Sequence, residues 1–261
     1  MEDKVKEKIK EIIINKEVDG FLVLKRYFNY VVPYLFTEKN LEDLEELSLE
    51  EVKYPLARII LKIKKFYPDK KFGILVRGCD EKHLIELNKY KKINLKELYL
   101  LGINCSKNLA LKCECPSPYT KIANISFGER VEGKNFEVFH KDLSFWLEKF
   151  SRCIKCYGCR SICPLCFCNN CSLEEELLVK RGFLPVDYPI FHLVRAYHLA
   201  GRCIECGLCE ETCPAEIPLR KLYKEINEKF YQIFGYKPGE DIEEKHPLEF
   251  LEEEVKEKYG I

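Results

Sequence analysis

Apolar side chains in the first part of the chain recur with two different periods. Over residues 3–16 and 55–66 they return every three or four positions, which predicts amphipathic helices. Residues 20–24 and 30–35 are instead rich in β-branched and aromatic side chains, which predicts two short strands able to pair as a hairpin. The chain therefore begins with both helices and strands.

The clearest unit of this first part is a strand, a helix and a second strand in succession. An apolar strand is predicted at 72–76, a turn at 77–80, a helix at 81–90 and the second strand at 98–103. A connection of this length favours a right-handed parallel crossover. Such sheets often bind ligands at the turn after a strand, but a single glycine there is not a dinucleotide-binding fingerprint.

Helical periods return in the second part of the chain, at 143–150, 189–200 and 219–234. The first two of these helices each lead into a run of cysteines that ends in proline, so the segment is an internal repeat. The cysteines also divide the chain, because none precedes Cys79, four lie between Cys79 and Cys115, and eleven lie beyond residue 150.

Together these patterns predict an α+β fold. The predicted parts are an N-terminal α/β domain with a small, partly parallel sheet and a possible extra metal site at 1–140, a helical dicluster ferredoxin-like domain at 141–236, and a charged C-terminal tail at 237–261.

Composition limits the partners and the compartment. Lys+Arg and Asp+Glu are equal at 43 each, so the chain has no net positive charge to bind a nucleic-acid backbone. No N-terminal targeting signal is visible, and no stretch approaches the ~18 apolar residues of a membrane span. We therefore expect a cytoplasmic protein. The fifteen cysteines predict metal or cluster ligation there, because the cytosol keeps thiols reduced.

Two cysteine runs carry the most specific chemistry. Each reads C-x2-C-x2-C-x3-C-P, the run of two-cluster bacterial ferredoxins, in which the fourth cysteine ligates the other cluster. Zinc ribbons, the alternative, use two C-x2-C pairs separated by a longer insert. The predicted ligands of the two [4Fe-4S] clusters are Cys153, Cys156, Cys159 and Cys213 for the first, and Cys203, Cys206, Cys209 and Cys163 for the second.

Seven further cysteines are left over. Cys79 and Cys105 follow neighbouring predicted strands, and Cys113 and Cys115 come after a short loop, so these four could form a third site. That site could hold a third [4Fe-4S] cluster or a zinc ion, or the cysteines could be small buried thiols. Three others could complete a site with one or more of the upstream cysteines; they are Cys166, Cys168 and Cys171.

At these residues the sequence resembles a known family. The segments FGILVRGCDE, LYLLGINC, CEC and RCIKCYGCRSICPLCFCNNC are similar to the iron–sulfur beta-subunit family of formate dehydrogenases and deazaflavin-linked hydrogenases, and to heterodisulfide-reductase-associated electron-transfer subunits. The segment HLAGRCIECGLCEETCPAEIPLRKL resembles the dicluster part of such subunits. The resemblance covers roughly residues 54–225.

This resemblance implies a subunit that relays electrons within a cytoplasmic oxidoreductase complex, with other subunits of that complex as partners. Many family members bind a flavin and reduce a deazaflavin, but this chain has no glycine-rich flavin loop, so flavin is not expected. We nominate no catalytic residue and expect a non-catalytic subunit. The alternatives are a flavin-containing oxidoreductase beta subunit that reduces a deazaflavin or similar carrier, and a structural metal-binding adaptor.

Overall fold

The chain divides into two compact units, residues 1–136 (unit 1) and 137–261 (unit 2). A computed structural model of the chain describes residues 1–134, 138, 140–180 and 188–249. The predicted α+β class is confirmed, because a mostly parallel sheet is combined with many helices.

Unit 1 is built on a five-stranded sheet with the order β2-β1-β3-β4-β5. β1 and β2 form the predicted hairpin, and all other neighbouring strands are parallel. Every residue of the central strand β3 is buried, which explains its continuous apolar sequence. The strands are β1 Gly20–Tyr27, β2 Tyr30–Phe36, β3 Phe72–Val76, β4 Leu98–Ile103 and β5 Ile125–Phe127.

Four α-helices accompany this sheet. They are α1 Glu2–Ile14, α2 Leu56–Phe66, α3 Gly78–Lys89 and α4 Lys107–Lys112, and a 3₁₀ segment spans Glu38–Glu46. The apolar face of α1 is buried in a core that also contains Phe21 and Val23 from β1 and Leu75 from β3. The periodic apolar residues that predicted α1 thus form the side of the helix that faces the sheet.

Helix α3 begins three residues earlier than the sequence suggests, at Gly78 instead of residue 81. Arg77 is the extended residue before the helix, and its backbone N–H donates to the Asp80 carboxylate at 3.1 Å. This capping interaction occupies a backbone donor that has no partner within the helix. Cys79 consequently lies in the first helical turn.

The described part of unit 2 consists of helices and loops. Its helices are α5 Leu143–Ser151, α6 Gly158–Ile162, α7 Tyr188–Leu199, α8 Leu208–Glu211 and α9 Leu219–Phe234. The segment after α9 packs back on the unit, since Tyr236 and His246 are fully buried. The Nε2 atom of His246 lies 3.0 Å from the Gly201 carbonyl oxygen. Residues 250–261 of the predicted tail lie outside the described residues.

No helix in the described ranges is long and apolar enough to cross a membrane.

Candidate iron–sulfur centres

Arg77 joins β3 to α3, and Gly78 and Cys79 are the first residues of the helix. Arg77 and Gly78 each make a distinct contact. The Arg77 guanidinium donates to the carbonyl oxygens of Glu50 and Val52, both at 2.8 Å. A Cβ on Gly78 would lie 2.6 Å and 2.5 Å from the carbonyl oxygens of Ser117 and Tyr119. Only glycine therefore lets the loop after α4 approach the start of α3 this closely.

Glu81 fixes the next part of the same loop. Its buried carboxylate accepts the backbone N–H groups of Lys121, Ile122 and Ala123 at 2.6–2.9 Å. Burial raises the pKa of Glu81, and these three donors oppose that rise. Gly78 and Glu81 thus hold the segment that follows the CEC sequence against α3.

This arrangement brings together the four cysteines of unit 1. Cys79 is in the first turn of α3, and Cys105 follows β4 with its N–H donating to the Pro118 carbonyl at 2.8 Å. Cys113 ends α4, and the Cys115 N–H donates to the Ala110 carbonyl at 3.0 Å. Burial and then the charges of Asp80, Cys105 and Cys115 raise the pKa of Cys79 well above its usual value.

The pKa of Cys105 depends on burial and on the thiols of Cys115 and Cys113. Burial raises the pKa of Cys105 to about 12; the Arg77 charge opposes the rise, and Cys115 and Cys113 add to it. The four thiols are therefore near neighbours, and burial keeps Cys79 and Cys105 neutral at pH 7 in the absence of a metal. Binding of a metal ion or cluster by these thiols would therefore release protons.

In unit 2, the first cysteine run lines a pocket open to solvent together with a cysteine of the second run. The four thiols in its wall are those of Cys153, Cys156, Cys159 and Cys213. Burial raises the pKa of Cys159; the Arg195 charge lowers it, and the three other thiols raise it further. The geometry thus places Cys213 with the three cysteines of the other run.

His192 lines the same pocket and is 1% exposed. Its ring stacks on Phe150 with the centroids 4.2 Å apart, and neither ring nitrogen has a hydrogen-bond partner among the residues that the structure describes. Burial lowers the pKa of His192 to about 3, so the ring is neutral and keeps one N–H to donate. The sulfide and thiolate acceptors of a cluster would suit that buried donor.

The second run is arranged in the reciprocal way. Burial and then the charges of Cys209 and Cys163 raise the pKa of Cys203 well above its usual value. Cys163 comes from the first run, while Cys206 lies between Cys203 and Cys209 in the loop that leads into α8. The ends of the two runs are therefore exchanged, with each fourth cysteine near the other run.

The two loops share an unusual backbone geometry. Lys155 and Glu205 occupy the same step of each run and have positive φ angles of 52° and 60°. Their N–H groups donate to Sγ of Cys153 and Cys203, each at 3.4 Å. Two steps later Tyr157 and Gly207 again share positive φ, at 59° and 80°. The internal repeat of the sequence is thus a repeat of loop structure.

The remaining three cysteines, Cys166, Cys168 and Cys171, line a second open pocket of unit 2. His198, Arg160 and Arg202 line it as well. Cys166 also touches the second ligand group, because its thiol donates a hydrogen bond to Cys163 that lowers the pKa of Cys163 and raises that of Cys166.

All fifteen cysteines lie within the described residues, and all are free thiols. In those residues, no three or more His, Cys, Asp or Glu side chains are arranged to hold one metal ion. Each thiolate of a cubane binds a different iron, so the ligands of a cluster stand farther apart than those of a single ion.

Comparison with known proteins gives relatives that include two formate dehydrogenase beta subunits. The F420-dependent formate dehydrogenase subunit beta of Methanocaldococcus jannaschii is 40% identical over 117 residues, which are 45% of this chain and 31% of that protein. The F420-dependent formate dehydrogenase 1 subunit beta of Methanococcus maripaludis is 38% identical over 137 residues, 52% of this chain and 34% of that protein. About half of the chain is thus similar in sequence to part of the formate dehydrogenase beta subunits.

The expected similarity to formate dehydrogenase beta subunits is therefore confirmed, and the chain spans about a third of the length of these relatives. A more distant relative belongs to the ion-translocating oxidoreductase complex of Buchnera aphidicola; it is 26% identical over 152 residues, 58% of this chain and 27% of that protein. No protein-family model matches the chain. The cysteine content and these oxidoreductase relatives fit iron–sulfur electron transfer.

Three side chains beside the clusters of cysteines were not singled out from the sequence. Arg195 is 2% exposed, and its guanidinium donates to the Cys159 carbonyl at 2.9 Å. Asn227 donates to the Cys203 carbonyl at 2.5 Å and to the Glu205 carboxylate at 2.9 Å. In unit 1, Glu81 has the role described above. The sequence feature that could have revealed these residues is a charged or amide side chain on an otherwise apolar face of a helix.

Proposed function

We propose that this chain is an iron–sulfur electron-transfer subunit of an oxidoreductase complex of the formate dehydrogenase type, with two [4Fe-4S] clusters in unit 2. The observation that carries the proposal is the exchange of cysteines between the runs. Cys213 lines the pocket of Cys153, Cys156 and Cys159, and Cys163 lies with Cys203 and Cys209. Two-cluster ferredoxins use their fourth cysteines in this way.

When bound, each cluster supplies a site that gains or loses one electron. The chain contributes the thiolate ligands, the backbone donors of Lys155 and Glu205 to two of the sulfurs, and the buried ring of His192 at the wall of the first pocket. Hydrogen bonds to ligand sulfurs and exclusion of water tune the reduction potential of such a centre.

We further propose that unit 1 holds a third site formed by Cys79, Cys105, Cys113 and Cys115. The support is local: Gly78 and Glu81 hold the loop after α4 against α3, and the four thiols are close enough to perturb one another. A third [4Fe-4S] cluster is the form that we favour, with zinc as an outcome of the test.

The partners in this proposal are other subunits of the oxidoreductase, because the relatives are named as subunits. A cytoplasmic location is part of the same proposal, since fifteen free thiols need a reducing compartment to remain available as ligands.

The test is the metal and sulfide content of anaerobically purified protein. We expect about eight iron atoms and equal acid-labile sulfide per chain from two cubanes, or about twelve with the third site. Cys153→Ser and Cys213→Ser should lose or perturb the same cluster, although they lie in different runs. Cys79→Ser should affect only the iron in excess of eight.

Zinc without acid-labile sulfide would refute the electron-transfer proposal and favour the structural adaptor. Flavin released by acid would favour the flavin-containing beta subunit. Loss of different clusters in Cys153→Ser and Cys213→Ser would contradict the exchange of ligands.

A further inference from the structure

Arg195, on α7, is a buried cation of unit 2. Only 2% of the residue is exposed, and its Nη2 donates to the backbone carbonyl of Cys159 at 2.9 Å. Its Nη1 donates to the Tyr223 hydroxyl on α9, and the guanidinium carbon lies 4.9 Å from the centre of that ring. These contacts fix the guanidinium in one position.

No carboxylate pairs with Arg195 among the residues that the structure describes, and its Nε has no hydrogen-bond partner. An uncompensated charge in the protein interior is strongly unfavourable. A buried cation with one donor left over therefore calls for a negatively charged acceptor close by.

Thiols of both ligand sets lie close to Arg195, together with the Tyr223 hydroxyl and the Cys166 thiol. Arg195 lowers the pKa of Cys159, which belongs to the first set, in opposition to burial. In the second set Arg195 donates a hydrogen bond to the Cys209 thiol, so the guanidinium that contacts the Cys159 carbonyl also contacts a ligand of the other set. Its charge lowers the pKa of Cys163 as well. One guanidinium thus acts on both sets.

We propose that Arg195 is a counter-ion shared by the two clusters and sets the reduction potentials of both. This inference rests on the proposed presence of the clusters. Reduction adds one electron to a cubane and makes or breaks no bond to the protein, so its main electrostatic effect is an added negative charge. A fixed, water-shielded positive charge stabilises the reduced form and raises the potential.

Arg195 is therefore a tuning residue and not a ligand, and the readout is the potential. We would prepare wild type, Arg195→Gln and Arg195→Lys anaerobically, with Arg152→Gln as the matched control. Arg152 is also an arginine beside a ligand, directly before Cys153, but it is exposed, so solvent screens its charge. Iron and sulfide are counted first, and each protein is then titrated with dithionite and followed by EPR.

We expect Arg195→Gln to lower the potentials of both clusters. At a fixed potential the ratio of reduced to oxidised cluster should fall at least tenfold, which is about 59 mV for one electron. Arg195→Lys should stay near wild type because it keeps the charge, and Arg152→Gln should shift little. Loss of clusters in Arg195→Gln with retention in Arg195→Lys would support the same conclusion, since the charge is then needed for assembly itself.

Unchanged potentials in a fully loaded Arg195→Gln protein would overturn the inference. So would equal shifts in Arg195→Gln and Arg195→Lys, or failure of both to load, because the planar hydrogen-bonding group and not the charge would then be decisive. Wild type without iron and sulfide would instead refute the proposed function, and the metal count made before the titration separates that result from a failure of the inference.

Discussion

Buried ionisable side chains in this protein fall into two kinds. Arg195 and Glu81 make specific hydrogen bonds to backbone carbonyl or N–H groups, although Arg195 keeps an unpartnered Nε among the described residues. His83, on α3, is different: it is 1% exposed, its Nδ1 has no hydrogen-bond partner in the described part of the chain, and burial alone lowers its pKa to about 3. The first kind holds loops at the candidate sites, whereas His83 makes the stability of unit 1 depend on pH.

The effect of His83 on stability has a definite sign. Between pH 6.5 and about 3 the unfolded chain binds a proton at this ring and the folded chain does not, so stability falls as pH falls through that range. Its contribution is complete above pH 6.5. We expect the free energy of unfolding to lose up to about 1.4 kcal/mol per pH unit from this residue.

Urea unfolding of wild type and His83→Leu between about pH 7 and about pH 4, followed by circular dichroism, measures this contribution. The stability difference between the two proteins should change with pH by roughly the amount above. Parallel curves for His83→Leu and wild type would contradict the prediction.

At the scale of elements, the two cluster loops show how a repeat can be kept in backbone but not in sequence. Tyr157 and Gly207 each precede a short helix, α6 or α8, with positive φ. Glycine adopts this conformation without penalty, whereas tyrosine does so at a cost. Tyr157 has compensating contacts, because its hydroxyl donates to the Leu173 carbonyl at 2.8 Å and its ring meets Phe191 edge-on.

A pair of glycine substitutions tests this interpretation. Gly207→Ala places a Cβ on a residue with φ of 80°, so it should lower the free energy of unfolding of the loaded protein by about 1–2 kcal/mol. Gly158→Ala is the matched control in the other loop, since its nearest neighbours would be at ordinary distances of 3.5–3.6 Å. Anaerobic denaturation followed by the visible cluster absorption compares them. Equal losses in both variants would count against the role of φ.

The sequence predicted the long elements well and the short ones poorly. β3 and β4 have the predicted bounds because each is a buried apolar run flanked by polar residues. β5 has three residues and α4 has six, so neither is long enough to show a period. The start of α3 differs from the prediction because its cap depends on a contact between Arg77 and Asp80, which no hydrophobic period reveals.

At the candidate sites, too, the sequence predicts local features better than contacts between distant residues. Short spacing within a run predicts that its first three cysteines lie close together, because that needs only local chain geometry. The approach of Cys213 to the other run joins distant positions, and the assignment of these thiols to clusters stays a prediction. The contacts of Arg195 with Cys159 and of Asn227 with Cys203 join positions 36 and 24 residues apart. Such pairs depend on how α7 and α9 pack, and no periodicity within one helix specifies them.

At the scale of the whole molecule, the two units differ in the interactions that stabilise the fold of each one. Unit 1 has a continuous core formed by α1 and the sheet, with residues such as Ile9, Phe21 and Leu101 fully buried. In unit 2 the helices surround two groups of thiols, and α6 and α8 have only five and four residues. Isolated helices of that length are not stable, so we expect the clusters to supply much of the stability of unit 2.

Removal of iron from the anaerobic protein by a chelator should therefore unfold unit 2 and leave the sheet of unit 1 intact. Trp146, the single tryptophan, reports on unit 2, because it is 5% exposed and stacks on Phe150 with the centroids 5.8 Å apart. Its emission should shift to longer wavelength as the iron leaves. In parallel, hydrogen exchange should show loss of protection in α7 and α9 while β3 and β4 keep theirs. Retained protection in α7 and α9 after complete iron loss would show that packing alone sustains unit 2, and loss in β3 at the same rate would show that the units unfold as one.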